Sequence, residues 1–411
     1  MNRLAVIVMA AALVAAMLPS SAQDYNYMSR EYMLKDTSFS KQLTREQGRA
    51  LCDDILAAVH GREDFDARKS EIRQRILDNL MLADIPARRR INTVTTGTRT
   101  LDGYSVENMA MEILPGVWAY ANVYRPAGEG VKRPAMILAQ GHSSQEIGPS
   151  CGRMSESSQI IAASLARMGA VVLSYDMFGY GESGEQLGTA AHHTGLAQSI
   201  NILSALSALD WLEEQPDVDA ARIGMTGASG GGTQTFYTAA IDARIALSVP
   251  VVMVSSYFPG GCACESGRPI HSSLTPRTCN AEIAAMAVPK PLLVVSDGGD
   301  WTDMVPEVEY PFIKSVYALY GCPENVRNMH FADEGHDYGP SKRKAMYGFV
   351  AEHFGLDSAA MQDTDGEWDE SRVQVLPYES LLVFGHKYPE SSLKSVSEVY
   401  DALVEAASSE K

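Results

Sequence analysis

The residues best placed to do chemistry sit at Gly227-Ala-Ser229-Gly-Gly231, where a short apolar run from Ile223 to Thr226 ends. A helix-compatible stretch, Thr233 to Ala240, follows at once. Strand, sharp turn and helix around G-x-S-x-G is the context in which a serine hydroxyl is thrust out as a nucleophile. Glycines relieve the crowding such a turn creates, because they lack Cβ. The helix N-terminus beside Ser229 favours a developing negative charge. A serine attacks a carbonyl only when a base takes its proton and an acceptor fixes that base's tautomer.

The elements that must carry these partners follow from the periodicity. Thr44-Arg-Glu-Gln47 reads as a capping box, with Leu51, Ile55, Leu56 and Val59 at helical spacing behind it. A second helix is expected from about Asp66 to Leu82. From Ile91 the period becomes two, which predicts strands over Ile91–Arg99, Tyr104–Leu114 and Val117–Tyr124 as an antiparallel lead-in. Strands and helices then alternate: strands at Ala135–Ala139, Ala170–Tyr175, Ile223–Thr226, Ile245–Val251, Pro291–Val295 and Val326–Phe331, with helices between and after them. Such alternation predicts an α/β fold with a doubly wound, mainly parallel sheet. The division expected is residues 1–22 as a signal peptide, 23–90 as an arm and helical pair, 91–356 as the catalytic domain and 357–411 as a C-terminal appendage.

Within that frame the base is His336, in the loop after the last strand and before the last helix. The acid belongs after strand Pro291–Val295, where three aspartates offer themselves: Asp300 first, then Asp303, then Asp297. Oxyanion donors are expected from the backbone N–H of Gly230 and from the loop Gln140-Gly141-His142-Ser143, through His142 or Ser143.

The chain has 411 residues, 45% hydrophobic and 21% charged, with a formal charge of −17. Arg3, an apolar run to Leu18 and small residues at Ser20 and Ala22 read as an export signal, with cleavage after Ala22. So acidic a protein is not expected to bind nucleic acid, nor a membrane once the signal is gone. Export permits disulfides among Cys52, Cys151, Cys262, Cys264, Cys279 and Cys322. A bridge in the loop around Cys262-Ala-Cys264 is favoured over metal or redox chemistry, because no matching second pair accompanies it. The adjacent His192 and His193 are not expected to converge on one ion, so neither a metal nor a cofactor is anticipated. Arg268, His271, Arg277 and Lys290 lend the insertion at 255–290 a basic cast. Arg268 and Arg277, with His193, are therefore candidates to contact an anionic substrate group such as a uronic acid.

Several motifs carry a family resemblance. Asp176-Met-Phe-Gly-Tyr-Gly-Glu-Ser183, Gly227-Ala-Ser-Gly-Gly-Gly-Thr-Gln-Thr, Gly260-Gly-Cys-Ala-Cys-Glu265, Ser296-Asp-Gly-Gly-Asp-Trp-Thr302 and Gly335-His-Asp-Tyr-Gly-Pro-Ser-Lys-Arg343 together resemble secreted bacterial α/β-hydrolases. The type is acetylxylan-esterase-like or dienelactone-hydrolase-like, with pectin and glucuronoyl methylesterases among its relatives. The resemblance spans about residues 90–356. It implies an α/β-hydrolase fold, Ser229, Asp300 and His336 as a triad, and acetyl or methyl esters of a plant-type polysaccharide as substrate. A prolyl-oligopeptidase-type peptidase shares such a catalytic domain, but residues 23–90 are too few and too helical for its β-propeller. A non-catalytic carbohydrate-binding protein is disfavoured by Ser229 and His336 standing in their expected loops.

Overall fold

The computed structural model describes residues 29–408, apart from residues 37, 129 and 272–274. The signal expected at 1–22 lies outside the described residues. Nine strands form one sheet: β1 (Asn92–Leu101), β2 (Tyr104–Leu114), β3 (Val117–Pro126), β4 (Arg133–Ala139), β5 (Val171–Tyr175), β6 (Val218–Ala228), β7 (Ile245–Val251), β8 (Leu292–Asp297) and β9 (Val326–Phe331). Their order is β1-β2-β3-β5-β4-β6-β7-β8-β9. The lead-in β1–β3 and its junction with β5 are antiparallel, and every later pairing is parallel.

Successive side chains of a strand point to opposite faces, so a central strand buried on both sides must be apolar throughout. In β4, Ala135, Ile137 and Ala139 join one core while Met136 and Leu138 join the other. Strand β8 divides the same way, Leu292 and Val294 against Leu293 and Val295. The first core is closed by helices Gly195–Glu213, Gly230–Ile241 and Glu309–Leu319 and by the N-terminal helical pair. The second is closed by Glu156–Arg167 and Pro340–Phe354.

The helical pair forms for the reasons its sequence gives. Thr44 Oγ1 accepts the Gln47 N–H at 3.2 Å and Gln47 Oε1 accepts the Thr44 N–H at 2.9 Å, closing the capping box over helix Arg45–Ala58. The second helix starts at Arg62 rather than Asp66, because Asp64 already accepts the His60 N–H at 2.8 Å and anchors the first turn. Phe65, Ile72 and Ile76 then face the first core.

A buried charge cluster fastens the C-terminal segment. Arg153 Nε lies 3.0 Å from Asp176 Oδ1, its Nη2 meets Glu182, and its Nη1 donates to the Leu381 carbonyl at 2.9 Å. Glu182 in turn accepts the N–H groups of Val383 and Phe384 at 2.9 and 3.1 Å. All three charged side chains are fully buried. Burial pushes the Asp176 carboxyl up to about 7, against the pull of Arg153. Arg153→Ala would strand two carboxylates without their cation, so it should destabilise the fold by about 3–5 kcal/mol in urea unfolding. A loss below about 1 kcal/mol would mean the cluster is not a structural anchor.

Candidate active site

Strand β6 delivers its chain to Ser229 at φ 56° and ψ −122°, and helix Gly230–Ile241 starts at the next residue. A positive φ on a residue with a Cβ stores strain of about 1–3 kcal/mol, held here by the surrounding packing. The Ser229 N–H donates to the Val251 carbonyl at 3.0 Å. Close approach explains the flanking glycines: a Cβ on Gly231 would lie 2.4 Å from the Ala139 carbonyl oxygen, and one on Gly227 2.6 Å from the same atom. The loop after β4 presses on the elbow as well, since a Cβ on Gly141 would stand 2.3 Å from Ala228 O and 3.1 Å from Ser229 Cβ.

Strand β9 ends in the loop carrying His336, and β8 in the loop carrying Asp300. His336 Nδ1 lies 2.6 Å from Asp300 Oδ2. The other carboxylate oxygen, Oδ1, accepts the N–H and the hydroxyl of Thr302, both at 2.6 Å. This arrangement puts the imidazole proton on Nδ1 and leaves Nε2 as an acceptor. The His336 ring packs against Trp301, centroids 4.5 Å apart, which stacks on Phe258 at 4.2 Å. The other two aspartates are otherwise engaged. Asp303 meets Arg45 Nη2 at 2.9 Å and the Tyr257 hydroxyl at 3.0 Å. Asp297 is fully buried beside Lys342 Nζ at 3.2 Å, and burial, with the charge of Asp300, raises its carboxyl above the usual range.

Ser229 and His336 open into one cleft, whose other walls include Gly141, His142, Ser143, Ser157 and Tyr338. The residues lining it include no Lys or Arg. The first N–H groups of helix Gly230–Ile241, that of Gly230 foremost, have no partner four residues back in the helix.

The basic insertion is not what its composition suggests. Arg268 is fully buried and its Nε donates to the Asn79 carbonyl at 2.7 Å, so the expectation that it meets substrate is corrected. The N-terminal helical pair covers this loop: Arg68 pairs with Glu282 and donates to the Arg277 carbonyl, while Arg75 donates to the Ile270 and Pro276 carbonyls. Arg277 is exposed and does not line the cleft. His271 is buried, between Ser40 Oγ at 2.9 Å and Asn280 Oδ1 at 2.6 Å. His193 lies 3.2 Å from Glu146, beside the cleft rather than in its wall.

The expected disulfide is likewise corrected, because all six cysteines are free thiols. Cys262 and Cys264 instead face His142 and His192. His142 Nε2 lies 3.0 Å from His192 Nε2, 3.2 Å from Cys262 Sγ and 3.4 Å from Cys264 Sγ. Cys262 Sγ is 3.6 Å from His192 Nε2, and the four donor atoms all fall within 4.8 Å of one another. Sequence spacing gave no sign of this group, since its histidines and cysteines come from three separate loops.

The mainly parallel sheet, with a serine on a strained turn after β6 and a histidine after β9, is that of an α/β-hydrolase. It is similar over 89% of its length to methylesterase BT1017, at 37% identity and a TM-score of 0.80, covering 81% of that chain. On this ground the chain belongs to the family of methylesterase BT1017. A CE15 glucuronoyl esterase from Teredinibacter turnerae shares the fold, with a TM-score of 0.52 at 12% identity over 71% of this chain and 86% of that one. The X-Pro dipeptidyl-peptidase (S15) family profile matches residues 116–283. Among curated sequences, YtaP of Bacillus subtilis, named as a hydrolase, is 28% identical over 180 residues, 41% of this chain. That match spans 60% of the relative's length. None of the described helices is long and apolar enough to cross a membrane.

Proposed function

We propose that the chain is an exported serine esterase that removes methyl esters from uronate units of a plant-type polysaccharide. The 2.6 Å contact of His336 with Asp300 beside the cleft that holds Ser229 carries the serine-esterase part of this reading, and the likeness to methylesterase BT1017 supports the methyl ester. In this reading residues 91–356 are the catalytic unit, residues 1–22 direct export, and no cofactor takes part.

Ser229 Oγ attacks the ester carbonyl carbon while His336 Nε2 takes its proton, and Asp300 stabilises the resulting imidazolium. The N–H groups of Gly230 and His142 hold the oxyanion, each worth about 3 kcal/mol at the transition state. His336 returns the proton to the departing methoxide, releasing methanol. Water then attacks the acyl-enzyme by the same relay and frees the uronate. The methyl ester itself is neutral and needs no cation in the cleft wall, which among the described residues includes no Lys or Arg.

The test pairs methyl-esterified pectin with acetylated xylan and a chromogenic X-Pro peptide. Methanol from pectin is the expected result. Acetate from xylan without methanol would replace methyl by acetyl ester hydrolysis. Cleavage of the peptide alone would favour the peptidase activity named by the matching family profile.

A further inference from the structure

We propose that His142, His192, Cys262 and Cys264 bind one zinc ion, and that this ion staples the loop after β4 to the two loops packed around it. Two imidazole nitrogens and two thiolates are the donor set of a tetrahedral structural zinc site. Bonds of about 2.0–2.3 Å place the donors of such a site about 3.3–3.8 Å apart. The spacings of 3.4 Å from His142 to Cys264 and 3.6 Å from Cys262 to His192 fall in that range. Two more of the six pairs, at 3.0 and 3.2 Å, are slightly shorter, and the remaining two lie within 4.8 Å.

A cation accounts for the convergence of all four groups on one point more simply than hydrogen bonds with two weakly donating thiols. His192 Nδ1 lies 2.9 Å from the Phe178 carbonyl, which can only accept, so that nitrogen carries the proton and Nε2 turns its lone pair inward. His142 Nε2 points at that lone pair and at two sulfurs. The two thiols donate only weakly, whereas a cation draws both imidazole lone pairs and both sulfurs, as thiolates, to one centre. The outer contacts are those that orient metal ligands. The Cys264 N–H donates to Cys262 Sγ at 3.2 Å, and His142 Nδ1 faces the buried Glu265 carboxylate at 3.8 Å. His142 is partly open to the cleft, which gives an ion its way in.

All four positions come from protein, so the ion has no place for water or substrate and its role is to hold structure. What it holds is close to the chemistry. A Cβ on Gly230 would lie 3.5 Å from His142 Cε1, and Gly141 abuts Ser229. The four residues are therefore positioning residues for the backbone of the loop after β4.

The experiment uses the full mature chain, untagged and dialysed against chelating resin, with metal measured by plasma mass spectrometry. About one zinc per chain is expected, and cobalt exchange should give the thiolate charge-transfer and intense d–d bands of a tetrahedral site. Cys264→Ser and His192→Asn should each lower zinc content and Tm. In whichever variant stays folded, kcat on a soluble ester should fall at least tenfold with KM little changed. Less than about a tenth of an equivalent of zinc after reconstitution, without cobalt bands, would overturn the site. So would a Cys262–Cys264 disulfide in the purified protein. A kcat unchanged in a folded, zinc-free variant would overturn the positioning role. Zinc content is read independently of turnover, so failure of the esterase reading would leave it standing.

Discussion

Ser229→Ala should lower kcat on a soluble ester by about 10⁴–10⁶-fold while the protein stays folded. The hydroxyl is the attacking atom in the proposed reaction, and its removal leaves the backbone bond from Ser229 to the Val251 carbonyl in place. Alanine keeps the Cβ, so the strained φ of 56° is retained and thermal stability should barely move. Glycine at the same position removes that strain. Ser229→Gly should therefore be as inactive as the alanine variant but more stable by about 1 kcal/mol or more. Residual turnover close to wild type in a folded Ser229→Ala protein would end the nucleophile assignment. A glycine variant less stable than the alanine one would show that the turn is not strained.

Asp300→Asn should cost about 10⁴-fold in kcat with little change in structure. An asparagine can keep its oxygen on the Thr302 donors, which occupy Oδ1 at 2.6 Å. Its amide nitrogen then faces His336 Nδ1 as a donor, where the carboxylate was an acceptor. The imidazole must place its proton on Nε2, and the lone pair that would take the serine proton is gone. Asp303→Asn is the control, because it disturbs only the Arg45 and Tyr257 contacts. That exposed ion pair is worth no more than about 1 kcal/mol, and kcat should stay within about tenfold of wild type. Collapse of Asp303→Asn beside an active Asp300→Asn would reverse the assignment.

What the sequence disclosed and what it withheld divide by range. The strands of the sheet could be read because burial on one or both faces writes itself into consecutive residues, as in Ala135–Ala139. The elbow could be read because Gly227 and Gly231 answer to backbone contacts that only a missing Cβ permits. Which of the three aspartates meets His336 is a matter of loop conformation: Asp300 turns Oδ2 to the imidazole while Thr302 holds its Oδ1. Arg268 was misread because its charge was counted without knowing what covers it. The helical pair lies over that insertion, and a cation that composition assigns to the surface becomes a buried support for the Asn79 carbonyl. The His142, His192, Cys262 and Cys264 group was invisible for a related reason. Neighbours along the chain, such as His192 and His193, are the wrong pairs, and only the sheet's topology brings together the right ones.

The anchoring of Arg153 also constrains when this protein can finish folding. Its carbonyl acceptor at Leu381 lies 228 residues further along, and the amide that Glu182 receives from Val383 lies 201 residues beyond that glutamate. Until those segments arrive, a guanidinium and two carboxylates in the middle of the molecule lack part of their hydrogen bonding. A chain emerging N-terminus first therefore holds these central charges unsealed until residues 381–384 have been delivered. The same delay makes residues 381–384 a point of quality control: proteolytic loss of that segment would expose the cluster at the heart of the fold.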